Sequence, residues 1–195
     1  IDFNNHTPGA LDEYGIDPNS IEYLFISHGH FDHFQPLEII RFAASLPHPL
    51  KVYGSSMVVD ALEFCRENLF DEESGRFVSP KGPYNLETVE LAPGSRIAVG
   101  EVQVTAVLSS HSMNKKYNIM EEQALNFLIE VEEKKVFYGL DSSYMIPQTL
   151  ALLAGTRLDM AIVDATFGPL EIDPVLSGHH NWAMLDEPLA ELRKA

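Results

Sequence analysis

The chain has 195 residues, enough for one sizeable domain with its own core and too few for two comfortable ones. Hydrophobic residues make up 45% and charged residues 22%, a soluble globular balance, and no apolar run approaches the length of a membrane span. The formal net charge of −16 argues against an extensive nucleic-acid surface, which needs clustered Lys and Arg; the basic doublets Lys115–Lys116, Lys134–Lys135 and Arg193–Lys194 all have glutamates nearby.

Along the chain, Ile1–Phe3 reads as the tail of a strand and residues 4–20 as a polar loop. Ile21–Ser27 is apolar and β-prone, a buried strand. A helix follows from Pro36, with Leu37, Ile40 and Ala44 on one face. Lys51–Tyr53 is a short strand ended by Gly54, and Ser55 or Ser56 can cap a second helix bearing Val58, Val59, Leu62 and Cys65. From Thr88 the rhythm turns to β: Val102–Leu108 alternates and ends at Ser109–Ser110–His111, and 124–131 with 135–140 form a hairpin. A helix over 146–154, a strand over 160–163 and a helix from about Asp186, with Pro188 in its first turn, complete a mixed α/β pattern in a single domain, 1–195. No apolar leader opens the chain, and the lone Cys65, read as a small buried hydrophobe, excludes an internal disulfide; both fit a cytoplasmic setting.

His28-Gly29-His30-Phe31-Asp32-His33 concentrates four metal-ligating side chains in six residues directly after a buried strand. Neutral imidazoles and a carboxylate suit zinc, with manganese or iron as alternatives, and Gly29 frees the backbone to aim several side chains into one space. Phe31 is expected to pack beneath the site. Neither a serine nucleophile elbow nor a phosphate-binding loop is present. Cation chemistry is what these residue types offer.

At these residues the sequence resembles the metallo-β-lactamase superfamily, whose signature is His-X-His-X-Asp-His at the end of a core strand. His111 and Asp141, each at a strand end, match two further ligand positions in order; an aspartate at the second resembles the phosphodiesterase and glyoxalase side of the superfamily. The resemblance implies an αββα four-layer sandwich, with strands missing at both termini of this chain. It implies His28, His30 and His111 on one metal, Asp32 and His33 on a second, and Asp141 bridging them. Two divalent ions, zinc first among them, would share a hydroxide that attacks substrate.

Val163–Gly168 followed by Gly178-His179-His180-Asn181 resembles the phosphoribosyl cyclic phosphodiesterase and, with the ligand set, the tRNA 3′-processing endonuclease branch. Carried over, the leaving-group role falls on His180, with Asn181 positioning substrate; the bland alternative makes Asn181 a helix cap. Asp164 either orients a histidine or merely ends a strand. His179 is the rival final metal ligand, the alternative being one beyond this chain. His6 and His48 read as loop residues, and 112–123 as a segment over the site. The expected function is hydrolysis of a small or cyclic phosphodiester, an anionic small molecule, with Asp32, His180 and Asn181 catalytic. A thioester or lactone hydrolase with the same metals is the alternative, and a non-catalytic metal-binding protein the second. No membrane partner is expected, and a homo-oligomer is compatible with the sequence.

Overall fold

Strand–helix alternation in the first ninety residues produces a parallel sheet, and alternating strands thereafter produce a mostly antiparallel one. The computed structural model describes residues 1–78, 85–111, 124–173 and 177–193. It divides into two compact units, Ile1–Leu91 and Ala92–Ala195.

In the first unit, a helix α1 (Thr7–Glu13) and a 3-10 turn at Pro18–Ser20 occupy the stretch expected to be loop. Neither buries a residue, so no apolar periodicity announces them; Pro8 in the first turn and the Asp17 side chain, which accepts from Asn19 N–H, hold them locally. Strand β1 (Tyr23–Phe25) leads through α2 (Pro36–Ser45) to β2 (Leu50–Gly54), and α3 (Ser56–Glu67) leads on towards a third parallel strand. A ribbon of β3 (Leu69–Asp71) and β4 (Arg76–Val78) intervenes before that strand, β5 (Leu86–Glu90). The sheet order is β1-β2-β5, with β2 central and almost wholly buried. Helix α2 buries Ile39, Ile40, Phe42 and Ala43, whereas Leu37 and Ala44 face solvent. The expected face is thus corrected: Phe42 is too large to leave in water, and it turns the helix onto its own stripe. Ser55 is the N-cap of α3, but its buried hydroxyl makes no capping bond.

The second unit is a five-stranded sheet in the order β10-β9-β8-β7-β6. These strands are β6 (Arg96–Val99), β7 (Val102–Leu108), β8 (Leu125–Val131), β9 (Lys134–Gly139) and β10 (Met160–Val163). All neighbours run antiparallel except β9 and β10, which α4 (Pro147–Leu153) connects. The β8–β9 hairpin turns at Glu132, whose φ of 54° is left-handed. Val107, Leu128, Phe137 and Leu153 form a core against α4, and the last helix, α5 (Trp182–Leu192), adds Leu192 to it. Helix α5 starts four residues earlier than expected, with Pro188 inside it. No helix among the described residues is long and apolar enough to cross a membrane.

His48 lies between two backbone acceptors. Its Nε2 is 2.8 Å from Asn19 O and its Nδ1 is 3.2 Å from Pro49 O, an arrangement that only the imidazolium satisfies on both sides. These carbonyls, Asn19 foremost, hold its pKa above the ordinary value. A raised folded-state pKa gives stabilisation that is full below the unfolded value of about 6.5 and is lost as pH rises through the folded one. The stability gap between the protein and His48→Ala should therefore be widest below about pH 6 and close in alkali. Urea unfolding across a pH series measures it, and a gap independent of pH would refute the assignment.

Candidate metal centre

A metal-binding histidine must keep a lone pair on one nitrogen, which requires the proton to be held on the other. In the first unit the loop after β1 arranges this through Asp2. Its Oδ1 accepts the Ser27 N–H at 2.7 Å, and its Oδ2 accepts the Ser27 hydroxyl at 2.9 Å and His33 Nδ1–H at 2.8 Å. The Ser27 proton is thereby committed, so the 3.0 Å contact between Ser27 Oγ and His28 Nδ1 has the imidazole as donor. Both rings then carry their proton on Nδ1 and their lone pair on Nε2.

Backbone bonds shape the rest of this loop. His30 O accepts from both His33 N–H and Phe34 N–H, Asn4 Nδ2 donates to Asp32 O, and Gln35 Nε2 donates to Phe31 O. The rings of His30 and His33 lie 4.6 and 4.4 Å from that of His28, centroid to centroid. Asp32 is open to solvent, with Oδ2 3.5 Å from His33 Nε2. Phe31 does not pack beneath the site: at 77% exposure it stands in solvent, like Asp32, in the turn closed on His30 O. His6 is the N-cap residue of α1 and joins no ligand group among the described residues.

In the second unit His111, Asp141 and His179 present ligand atoms that all lie within 4.8 Å of one another. His111 Nδ1 donates to Gly178 O at 2.7 Å, so its lone pair too sits on Nε2, 3.9 Å from Asp141 Oδ2. Two donors at about 2.1 Å around a tetrahedral ion stand about 3.4 Å apart, so this spacing needs only a small contraction around a cation. Gly178 has φ 66°, and a Cβ there would meet His111 Nδ1 at 2.9 Å. Its glycine identity is required twice over.

Asp164, at the end of β10, is 3% exposed. Its Oδ1 accepts Thr166 N–H and Oγ–H, and its Oδ2 takes His179 Nδ1 at 2.6 Å and Ser142 N–H at 3.2 Å. It therefore orients a histidine rather than merely ending a strand. That histidine is His179. His180 is fully buried, neither ring nitrogen has a hydrogen-bond partner, and burial pushes its pKa down. The leaving-group role expected of His180 does not suit that position, because consecutive residues entering α5 point to opposite sides and it is His179 that faces the ligands. Asn181 accepts Met184 N–H through Oδ1 and donates to Leu170 O through Nδ2, so the cap alternative is the one this geometry fits. The segment 112–123 lies outside the described residues.

The chain matches the β-lactamase superfamily domain over residues 4–191 and belongs to that family. No curated protein matches it. Among solved structures it is similar to the metallo-β-lactamase fold protein YhfI from Bacillus subtilis, at 15% identity and TM-score 0.69, covering 98% of this chain and 69% of that one. It is similar to a diphosphatase from the PhnP family (16% identity, TM-score 0.67, 99% of this chain and 63% of that). It is also similar to the human tRNase Z, short form (18% identity, TM-score 0.66, 100% and 77%). At such identities the likeness is one of fold, and the metallo-β-lactamase α/β class expected from the motif is borne out.

The Asp2 carboxylate carries the first ligand loop, which makes it the sharpest test of this arrangement. Asp2→Asn keeps the left-handed backbone (φ 61°) but replaces one acceptor oxygen by an amide NH₂ that cannot receive His33 Nδ1–H. Metal affinity should fall about ten- to hundred-fold with the fold intact. Competition against a chromophoric chelator reads this out; unchanged affinity would show that Asp2 is dispensable.

Proposed function

We propose that the chain is a metal-dependent hydrolase of a small or cyclic phosphodiester. Its ligands are His28, His30, Asp32, His33, His111 and Asp141, and its resident cations are two divalent ions, zinc first. The donor set fits: His28, His33 and His111 all have Nδ1 engaged by a neighbour and Nε2 as the lone-pair nitrogen, and a carboxylate stands beside one of them. Bound to such ligands, divalent cations lower the pKa of water towards neutrality and stabilise charge developing on the attacked group.

One observation favours a phosphodiester over a thioester: the 2.6 Å contact between His179 Nδ1 and Asp164 Oδ2. An alkoxide leaving a phosphodiester needs a proton, whereas a thiolate leaving a thioester does not. Asp164 holds the His179 ring through Nδ1, which also stands 3.9 Å from Asp141 Oδ1, so a proton given to a leaving alkoxide would be one carried on Nε2. The role expected of His180 therefore passes in this reading to its neighbour. Asp32, open to solvent beside His33, is placed to contact incoming substrate as well as a cation. Similarity to a PhnP-family diphosphatase fits the same chemistry.

Chelator-treated protein should lose hydrolysis of bis-para-nitrophenyl phosphate and regain it with zinc or manganese, while a thioester and a lactone remain poor substrates. Preference for either acyl substrate, or metal uptake with no hydrolysis at all, would overturn the proposal. His179→Ala should slow a diester with a poor alkoxide leaving group by about 10²–10⁴-fold, and para-nitrophenolate release much less, with metal content unchanged. Loss of a metal ion in that variant would instead make His179 a ligand. His180→Ala should show no dependence on the leaving group.

A further inference from the structure

The ends of β7 and β9, which carry His111 and Asp141, are joined by a seam of buried hydroxyls and one amide. Ser109, Ser110, Ser142 and Ser143 are each at most 5% exposed, and Asn126, the second residue of the apolar strand β8, is 3% exposed. Burying five polar side chains in one place is unfavourable unless each is hydrogen-bonded, and the bonds they make converge on the ligand residues.

Proton direction can be traced through the seam. Asn126 Nδ2 donates to Leu140 O at 2.7 Å, and its Oδ1 accepts the Ser142 hydroxyl at 2.9 Å. Ser109 donates its hydroxyl to Asp141 O at 2.7 Å and accepts His111 N–H at 3.2 Å. One hydroxyl therefore connects the backbones of two residues of the ligand group. Ser142, immediately after Asp141, gives its N–H to Asp164 Oδ2, the same oxygen that holds His179. Asp141 itself sits at φ 48°, a left-handed conformation that is uncommon outside glycine, though aspartate tolerates it better than most residues. The bonds to Leu140 O, Asp141 O and Ser142 grip the residues on both sides of that turn and the turn itself.

We infer that Ser109, Asn126 and Ser142 are positioning residues of the metal centre: they hold Asp141 in its left-handed turn and fix its spacing to His111. This rests on the metal-centre reading above. It assigns to this chain's own strands a set of partners that the ligand motifs do not include. Their effect is exerted on geometry, so it should appear in metal affinity and in the ligand field before it appears in any rate.

The test is titration of the chelator-treated full chain with Co²⁺, followed by calorimetry and by the visible absorption of the bound ion. Ser109→Ala and Asn126→Ala should weaken binding about ten- to hundred-fold and shift or flatten the Co²⁺ bands. Thr149→Val is the comparison. It deletes an equally buried hydroxyl, bonded to Leu108 O at 2.6 Å, that contacts none of the ligand residues. It should lower thermal stability by a similar amount and leave affinity and spectrum as in the parent. Asn126→Ala carries the test by itself should Ser109→Ala not fold. Parent-like affinity and spectra in the seam variants would overturn the positioning role while leaving the metal centre intact. Equal losses in Thr149→Val would overturn it too, by reducing it to stability. A parent protein that takes up no Co²⁺ would bring down the metal-centre reading itself, and this inference with it.

Discussion

An imidazole can give a lone pair to a cation from one nitrogen only if the proton is kept on the other, and most of the organisation described above serves that requirement. Asp2 fixes His33 directly and His28 through Ser27; the Gly178 carbonyl fixes His111. None of these anchors belongs to the proposed ligand set. Each comes from a segment distant in sequence from the ring it holds or from the strand end just before it, so the tautomers depend on the fold being complete around them. Histidines on a flexible surface loop would have no such commitment.

The anchors impose a conformational demand in turn. Asp2 and Asp141 are two of three non-glycine residues with left-handed backbone among those described, and Gly178 is left-handed as well. Such a turn lets a strand end stop abruptly and present a carboxylate or carbonyl sideways instead of continuing along the sheet. Aspartate tolerates it better than most residues, at a strain on the order of 1–3 kcal/mol. Strand ends in other sheets usually relax into ordinary turns. In this chain Asp141, two residues past the end of β9, is kept in that conformation by the buried hydrogen bonds around it.

The adjacent residues His179 and His180 divide two tasks by direction alone. The ring of His179 is tied to a buried carboxylate and stands with its centroid 4.9 Å from that of His111. The ring of His180 is sealed in the interior, where burial lowers its pKa. A dipeptide of identical side chains cannot declare in one dimension which member faces which way. Asn181 completes the arrangement by capping α5, and so sets the angle at which the chain enters that helix.

What the sequence determined was chemistry and order. The dense run of candidate ligands from His28 to His33 after a buried strand is a local pattern, whereas His111 and Asp141 at later strand ends are singled out through the order of a family resemblance. Strand periodicity likewise placed β7, β8, β9 and β10 to within a residue or two. The helix α1 and the β3–β4 ribbon were not legible, because they bury almost nothing and leave no apolar rhythm. Neither was the stripe of α2, where the bulk of Phe42 outweighs the i, i+3 pattern. Only tertiary structure could decide that Asp2 serves two histidines about thirty residues away, that Asp164 selects His179 over His180, and that Asn126, near the start of β8, bonds to the residues on either side of Asp141. Ser109–Ser110 before one ligand and Ser142–Ser143 after another were visible as dipeptides, yet a serine in sequence says nothing about its partner. Hydrogen-bond partners are set by three-dimensional proximity, and burial is what makes those partners obligatory.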